Sequence, residues 1–249
     1  MTDAAAEHFD PGFGAVLLDV EGTTTPIEFV TGTLFPFARE RFPAFLRDHG
    51  TLPAVSADLE RLREEHRRDG PADPPPAWND GDRLASATSY LLWLMQRDRK
   101  STALKSLQGR IWEEGFRSGA LRAPVYPDVA PALRRWRAGG REACIFSSGS
   151  VLAQRLVFGH SSAGDLTPLL AAFFDTTTGP KREPESYCRI AAARGRAPTS
   201  WLFLSDVSDE VDAARAAGMQ TALVVRPGAP EPASASHPVI RSFEDLPPV

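Results

Sequence analysis

Four apolar residues, Ala15, Val16, Leu17 and Leu18, run straight into Asp19, Val20, Glu21 and Gly22, and then into Thr23, Thr24, Thr25 and Pro26. A short apolar run of this kind reads as a buried strand. The acids that follow then lie at its carboxyl end, where open parallel sheets hold their ligands. Asp19 is therefore a candidate nucleophile or metal ligand. Glu21 points the same way as Asp19 if strand alternation continues, and Gly22 permits a sharp turn just beyond. Two carboxylates so close repel one another, and a divalent cation with oxygen ligands relieves that repulsion. A strand ending in a solvated acidic turn gives the same pattern, so the acids need partners elsewhere in the chain.

Three later strand ends supply candidates. Glu142 to Phe146 reads as a strand ending at Ser147, Ser148, Gly149 and Ser150, and a helix over Val151 to Phe158 follows directly. Hydroxyls and unpaired amides at a helix start favour an anion, phosphate above all, although a lone serine there can be only an N-cap. Phe173 to Thr176 is a third strand candidate, and the loop after it carries Lys181 behind a Gly179-Pro180 turn. Trp201 to Leu204 is a fourth, running into Ser205, Asp206, Val207, Ser208, Asp209 and Glu210. A second acidic cluster thus closes a second buried strand.

The elements that must position these residues fall into two kinds. From Val125 onward strand and helix alternate, which predicts a parallel sheet covered by helices, with further elements over Pro131–Ala138, Glu185–Ala193, Val211–Ala217 and Thr221–Val225. Between about Ile27 and Arg122 the pattern is helical. Apolar stripes pass through Phe42, Phe45 and Leu46, through Leu59 and Leu62, through Tyr90, Leu91 and Leu94, and through Leu104, Leu107 and Ile111. Four such helices make a small bundle, with Trp93 and Trp112 read as core. Gly70 to Pro76 is too rich in proline for helix or strand, as is much of Pro227 to Pro238, so both are expected as loops.

At 249 residues the chain is long enough for a sizeable core. A net charge of -4 offers no basic field for nucleic acid, and no apolar run approaches the length of a membrane span. Residues Met1 to Phe9 lack the basic and apolar segments of a secretion signal, and the two cysteines, Cys144 and Cys188, show no metal-type spacing. A cytoplasmic enzyme with reduced thiols, acting as a monomer, is expected.

In chain order the strand ends carry Asp19 with Glu21, Ser147 with Ser148, Lys181, and Asp206 with Asp209 and Glu210. That succession resembles the haloacid-dehalogenase superfamily of phosphohydrolases and covers most of the chain. The wording is closer still to its enolase-phosphatase branch: glutamate stands at position 21 where most of the superfamily has a second aspartate. Gln154, Phe158-Gly159-His160-Ser161, Gly164-Asp165-Leu166, Leu107 to Trp112 and Tyr126-Pro127-Asp128-Val129 resemble that branch too.

The resemblance implies an α/β fold: a Rossmann-like parallel-sheet core from residues 1–26 and 123–249, with residues 27–122 inserted as an α-helical cap. It implies a magnesium-dependent enolase-phosphatase of methionine salvage. The substrate would be the small phosphorylated metabolite 2,3-diketo-5-methylthiopentyl 1-phosphate, enolised and dephosphorylated to the acireductone. Asp19 would be the nucleophile and Glu21 the acid and then the base. Asp19, Asp206 and the main-chain carbonyl of Glu21 would hold Mg2+, while Ser147, Ser148 and Lys181 would hold the phosphoryl oxygens. The enolisation base stays open among Glu21, Gln108 and Glu113, and His160 is expected only to brace its loop. A generic magnesium-dependent phosphatase of another phosphometabolite is the alternative, and a non-catalytic phosphate-binding module is a further one.

Overall fold

The computed structural model describes residues 9–70, 73–232 and 236–247. Residues 1–8, at the start of the chain, lie outside the described residues, as do Pro71 and Ala72 in the first proline-rich stretch and residues 233–235 in the second. Compact packing divides the chain into two units, residues 1–29 with 122–249 and residues 30–121.

The first unit is built on a six-stranded parallel sheet. Its strands are β1 (Ala15–Leu18), β2 (Glu142–Phe146), β3 (Ala172–Phe174), β4 (Trp201–Ser205), β5 (Gln220–Val224) and β6 (Val239–Ile240), in the spatial order β3-β2-β1-β4-β5-β6. The order makes β1 central, paired with β2 on one side and β4 on the other. All four of its residues are fully buried, which is why the sequence reads as an unbroken apolar run and not as an alternating one. Leu17 lies level with Cys144 of β2 and Phe203 of β4. On this face those three side chains join Ala15, Phe146 and Trp201 in one buried cluster with Tyr187, Ile190 and Val211.

The helices, in chain order, begin with α1 (Ile27–Phe29), which passes into a π-helical turn over Val30–Leu34. Then come α2 (Phe35–His49), α3 (Pro53–Arg68), α4 (Arg83–Gln96) and α5 (Thr102–Arg117), which form the second unit. Local chemistry sets their ends. Prolines open α2 and α3, the Asp82 side chain caps α4 by accepting from the amide of Ala85, and Ser101 caps α5 by accepting from that of Leu104. The α2 helix packs on α4 and α5, and α3 packs on the same two. Trp93 and Trp112 are core residues, and the Trp112 indole donates to the main-chain oxygen of Leu34 at 2.8 Å.

Returning to the sheet unit, the chain forms α6 (Val129–Ala138), α7 (Val151–Gly159), α8 (Pro184–Ala193) and α9 (Ser208–Ala216). The α/β fold class expected from the sequence is the one observed, a parallel sheet with flanking helices. Most boundaries fall within a residue or two of the sequence reading; two helix starts and one strand are the differences that matter to the argument. The α6 helix begins two residues earlier than Pro131, because proline is well suited to the first turn of a helix. The α9 helix begins at Ser208 and not at Val211, which puts Asp209 and Glu210 inside its first turn. Strand β6, two residues long beside a proline-rich loop, had no pattern by which to be seen. Among the described residues no helix is long and apolar enough to cross a membrane.

Because Leu17 is buried between two strands and two helices, Leu17→Ala is expected to lose about 2–5 kcal/mol of stability by leaving a cavity. Leu152→Ala, at a residue 39% exposed, is expected to stay within about 0.5 kcal/mol of the parent. Urea denaturation of the two variants checks the contrast.

Candidate active site

Asp19, Ser147 and Asp206 each directly follow the last residue of a strand, and the three strands are neighbours: β2, β1 and β4. The in-register ladders therefore bring these side chains to one end of the sheet. The strand itself stops at Leu18, so alternation does not place Glu21. A turn does. The amides of Thr23, Thr24 and Thr25 all donate to the main-chain oxygen of Val20, and Gly22 takes φ 74°. An L side chain at position 22 would be strained, and its Cβ would run into the carboxylate of Asp206.

Thr23 ties this turn to the fourth strand. Its hydroxyl accepts from the amide of Asp206 at 3.0 Å and donates to Asp206 Oδ1 at 3.3 Å. Thr23 is fully buried.

Lys181 arrives from the loop between β3 and α8. Its ammonium lies 2.5 Å from Asp19 Oδ1 and 2.5 Å from Glu210 Oε2, and only 8% of its side chain is exposed. The Phe146 ring lies 5.8 Å from Nζ, and the Tyr187 hydroxyl donates to the main-chain oxygen of Lys181 at 2.7 Å. Glu210 is itself held by the Ser205 hydroxyl at 3.1 Å.

Glu210 is the functional residue that sequence reasoning left without a role. The available signal was its place in the acidic run from Asp206 to Glu210 that closes the fourth strand. Asp209 goes elsewhere: it pairs with Arg182 at 3.4 Å, both side chains well exposed.

Ser147 is buried, and its Oγ accepts from the amide of Gly149 at 3.0 Å, which leaves the hydroxyl proton for an incoming anion. Ser148 is exposed. Ser150, not Ser147, is the N-cap of α7, accepting from the amide of Ala153. Gln154 fixes the serine loop by donating to the oxygens of Gly149 and Phe174. His160 ends α7: its Nδ1 lies 3.2 Å from the oxygen of Leu156, and its own main-chain oxygen accepts from the amide of Ala123. In the helical unit Gln108 is buried, and Glu113 pairs with Arg117 at 2.7 Å.

The electrostatics of the strand ends are lopsided, with Asp19, Glu21, Asp206 and Glu210 set against the one ammonium of Lys181. Burial, followed by the charge of Asp19, raises the pKa of Glu21 and of Glu210. The same two causes push Asp206 up to about 6. Lys181 pays for its burial but is held protonated by Asp19 and Glu210, which raise its pKa on balance. Such a surplus of oxygen anions suits a hard divalent cation. Among the described residues no group of three or more His, Cys, Asp and Glu side chains could enclose a metal. An octahedral cation that keeps several waters, as magnesium does, asks for fewer protein donors, and Asp19, Asp206 and a turn carbonyl suffice. Two cavities, of about 170 and 270 Å³, are lined by none of these residues.

Comparisons with known proteins place the chain in a family. A family model described as haloacid dehalogenase-like hydrolase matches residues 13–218. A Synechococcus elongatus protein named enolase-phosphatase E1 is 51% identical over 93% of this chain and 96% of its own. An Azotobacter vinelandii protein of the same name is 48% identical over 94% of this chain and 97% of its own. Among solved structures, the UTR4 protein of Saccharomyces cerevisiae superposes with a TM-score of 0.77 at 34% identity, covering 94% of this chain and all of that one.

The raised carboxylates fix the sign of a pH effect. An acid whose pKa is higher in the folded chain binds its proton more tightly there, so folding stability falls as pH rises from the unfolded value to the folded one. For Asp206 that window runs from 3.8 to about 6. In metal-free buffer Asp206→Asn is therefore expected to melt at a higher temperature than the parent at pH 7, with the gap closing by about pH 4. Calorimetric melting of both proteins across this range checks it.

Proposed function

The chain belongs to the haloacid dehalogenase-like hydrolases and, within them, to the enolase-phosphatases, and from that membership we propose that its substrate is 2,3-diketo-5-methylthiopentyl 1-phosphate. The products are the acireductone 1,2-dihydroxy-3-keto-5-methylthiopentene and phosphate, a step of methionine salvage. The observation that carries the reading is the buried contact of Lys181 with Asp19 and Glu210 beside Asp206, at the carboxyl ends of neighbouring strands.

In this reading Lys181 holds Asp19 Oδ1, which orients Oδ2 toward phosphorus. Asp19 forms the new P–O bond as the bond from phosphorus to the C1 oxygen breaks, giving an aspartyl-phosphate. Glu21, whose pKa is raised by burial and then by the charge of Asp19, gives its proton to the departing C1 oxygen. It then takes a proton from the water that attacks phosphorus, and the Asp19 carboxylate is released unchanged. Ser147, Ser148 and Lys181 donate to the phosphoryl oxygens, where charge is spread in the transition state. Glu210 keeps the ammonium in place. Asp19, Asp206 and the main-chain oxygen of Glu21 would hold magnesium, which when bound would further neutralise the phosphoryl oxygens.

Residues 27–122 are read as the cap and residues 1–26 with 123–249 as the catalytic core; the departure of the chain from the sheet after β1 and its return at β2 support that division. The enzyme is read as a cytoplasmic monomer, with Cys144 and Cys188 as free thiols.

Enolisation needs a base at carbon, whereas phosphate release needs the Asp19 nucleophile, so the two steps are separable. With magnesium saturating, Asp19→Asn is expected to lose phosphate release by a factor on the order of 10⁴ to 10⁶ while still accumulating the enol phosphate. Ultraviolet absorbance of the enol, followed beside free phosphate, checks both halves. Parent-like phosphate release by the variant, or no enol signal from the parent enzyme, would overturn the reading.

A further inference from the structure

Arg226 lies two residues beyond β5, and only 4% of its side chain is exposed. Its guanidinium is sandwiched between two rings, with Cζ 4.4 Å from the centre of Tyr126 and 4.6 Å from that of Phe243. In its own plane Nε donates to the main-chain oxygen of Thr23 at 2.8 Å, and Nη1 donates to Asp128 Oδ2 at 2.7 Å and to the oxygen of Arg241 at 3.4 Å. Asp128 Oδ2 also accepts from the amide of Phe243 at 2.7 Å and the hydroxyl of Ser242 at 3.2 Å. The amide of Tyr126 donates to the oxygen of Thr24 at 3.0 Å. Arg226 and the 126–128 loop thus both grip the turn that follows the first strand.

A buried ion pair is a poor device for stability alone, because the cost of desolvating both charges offsets most of their attraction. What a guanidinium supplies and an apolar side chain cannot is direction: a rigid fork that fixes two acceptors at once. One acceptor here is the carbonyl of Thr23, the residue whose hydroxyl binds both the amide and the carboxylate of Asp206. The other is Asp128, anchored to the chain's last described segment. Two hydrogen-bonded steps therefore join a buried cation to a strand-end carboxylate.

We propose that Arg226 and Asp128 are positioning residues for the metal site, holding the Thr23 turn so that Asp206 keeps its place beside Asp19. This rests on the reading of Asp206 as a magnesium ligand. Removing an outer-shell partner of a metal ligand typically costs 10- to 100-fold in affinity or activity. The test measures Mg2+ binding to the purified full chain by titration calorimetry, together with kcat and KM for the diketone phosphate at saturating Mg2+. Arg226→Met is expected to weaken Mg2+ binding by about 10- to 100-fold and to lower kcat with a smaller change in KM. Arg226→Lys keeps the charge but not the fork, and is expected to recover only part of the loss. Asp128→Asn keeps the shape should Arg226→Met fail to fold, and is expected to weaken Mg2+ in the same direction.

Parent-like Mg2+ affinity in a folded Arg226→Met or Asp128→Asn overturns the proposal. So does a failure of both to fold, which would mark the pair as structural. If the parent itself binds no Mg2+, or Asp206→Ala binds it as the parent does, the reading of the site fails and takes this inference with it.

Discussion

The buried ammonium of Lys181, shared between Asp19 and Glu210, is the interaction on which the rest of this sheet end depends. Without it, carboxylates from two strand ends and one helix would meet in a desolvated place with nothing to oppose them. Several kcal/mol per unpaired buried charge is more than a domain can readily spare from a net stability of about 5–15 kcal/mol. The pair is nonetheless incomplete compensation. Asp206, Glu21 and Glu210 are all raised, so the lysine lowers the repulsion without removing it. The site is left with an appetite for positive charge, the condition under which a dication and a phosphoryl group can bind together.

That arrangement depends on chain topology more than on any local preference. The strand order β3-β2-β1-β4-β5-β6 means that the chain builds outward from β1 on one side and then crosses back to β4 on the other. The reversal opens a crevice at the carboxyl ends of the central strands, which is where doubly wound sheets bind ligands. Asp19 and Asp206 border it because they follow β1 and β4, and Ser147 because it follows β2. Lys181 has farther to come. It reaches Asp19 from the loop beyond β3, and the Tyr187 hydroxyl and the Phe146 ring fix the backbone and the ammonium of that loop.

How much of this was legible in the sequence follows from the range of each signal. The sheet and its strand ends were legible because fully buried parallel strands leave unbroken apolar runs, and Asp19, Ser147 and Asp206 each directly follow one. Glu21 was expected beside Asp19 for a reason that does not hold, since the strand stops at Leu18 and a turn around Val20 carries the chain onward. Glu210 had no role because helix α9 was started three residues late, so the first-turn geometry separating it from Asp209 was out of view. Arg226 carried no signal at all. Its partners are the main chain of Thr23 and the side chain of Asp128, 203 and 98 residues away in sequence, and no local pattern reports contacts of that range.

The ordering of causes at Glu21 bears on the acid role proposed for it. Its pKa is raised first by burial and only second by the charge of Asp19. In the proposed reading a cation held by Asp19 and Asp206 would offset the second cause and leave the first, which comes from the partial burial of Glu21 itself. Glutamate at this position is one methylene longer than aspartate, and it stands three residues beyond the end of β1, in the turn closed on the Val20 main-chain oxygen. Arg226 grips the same turn, its bond to the Thr23 carbonyl holding the residue that ties the Glu21 turn to Asp206. One short loop thus carries Glu21 and, through Thr23, holds the side chain of Asp206, and the buried charge of Arg226 bears on both.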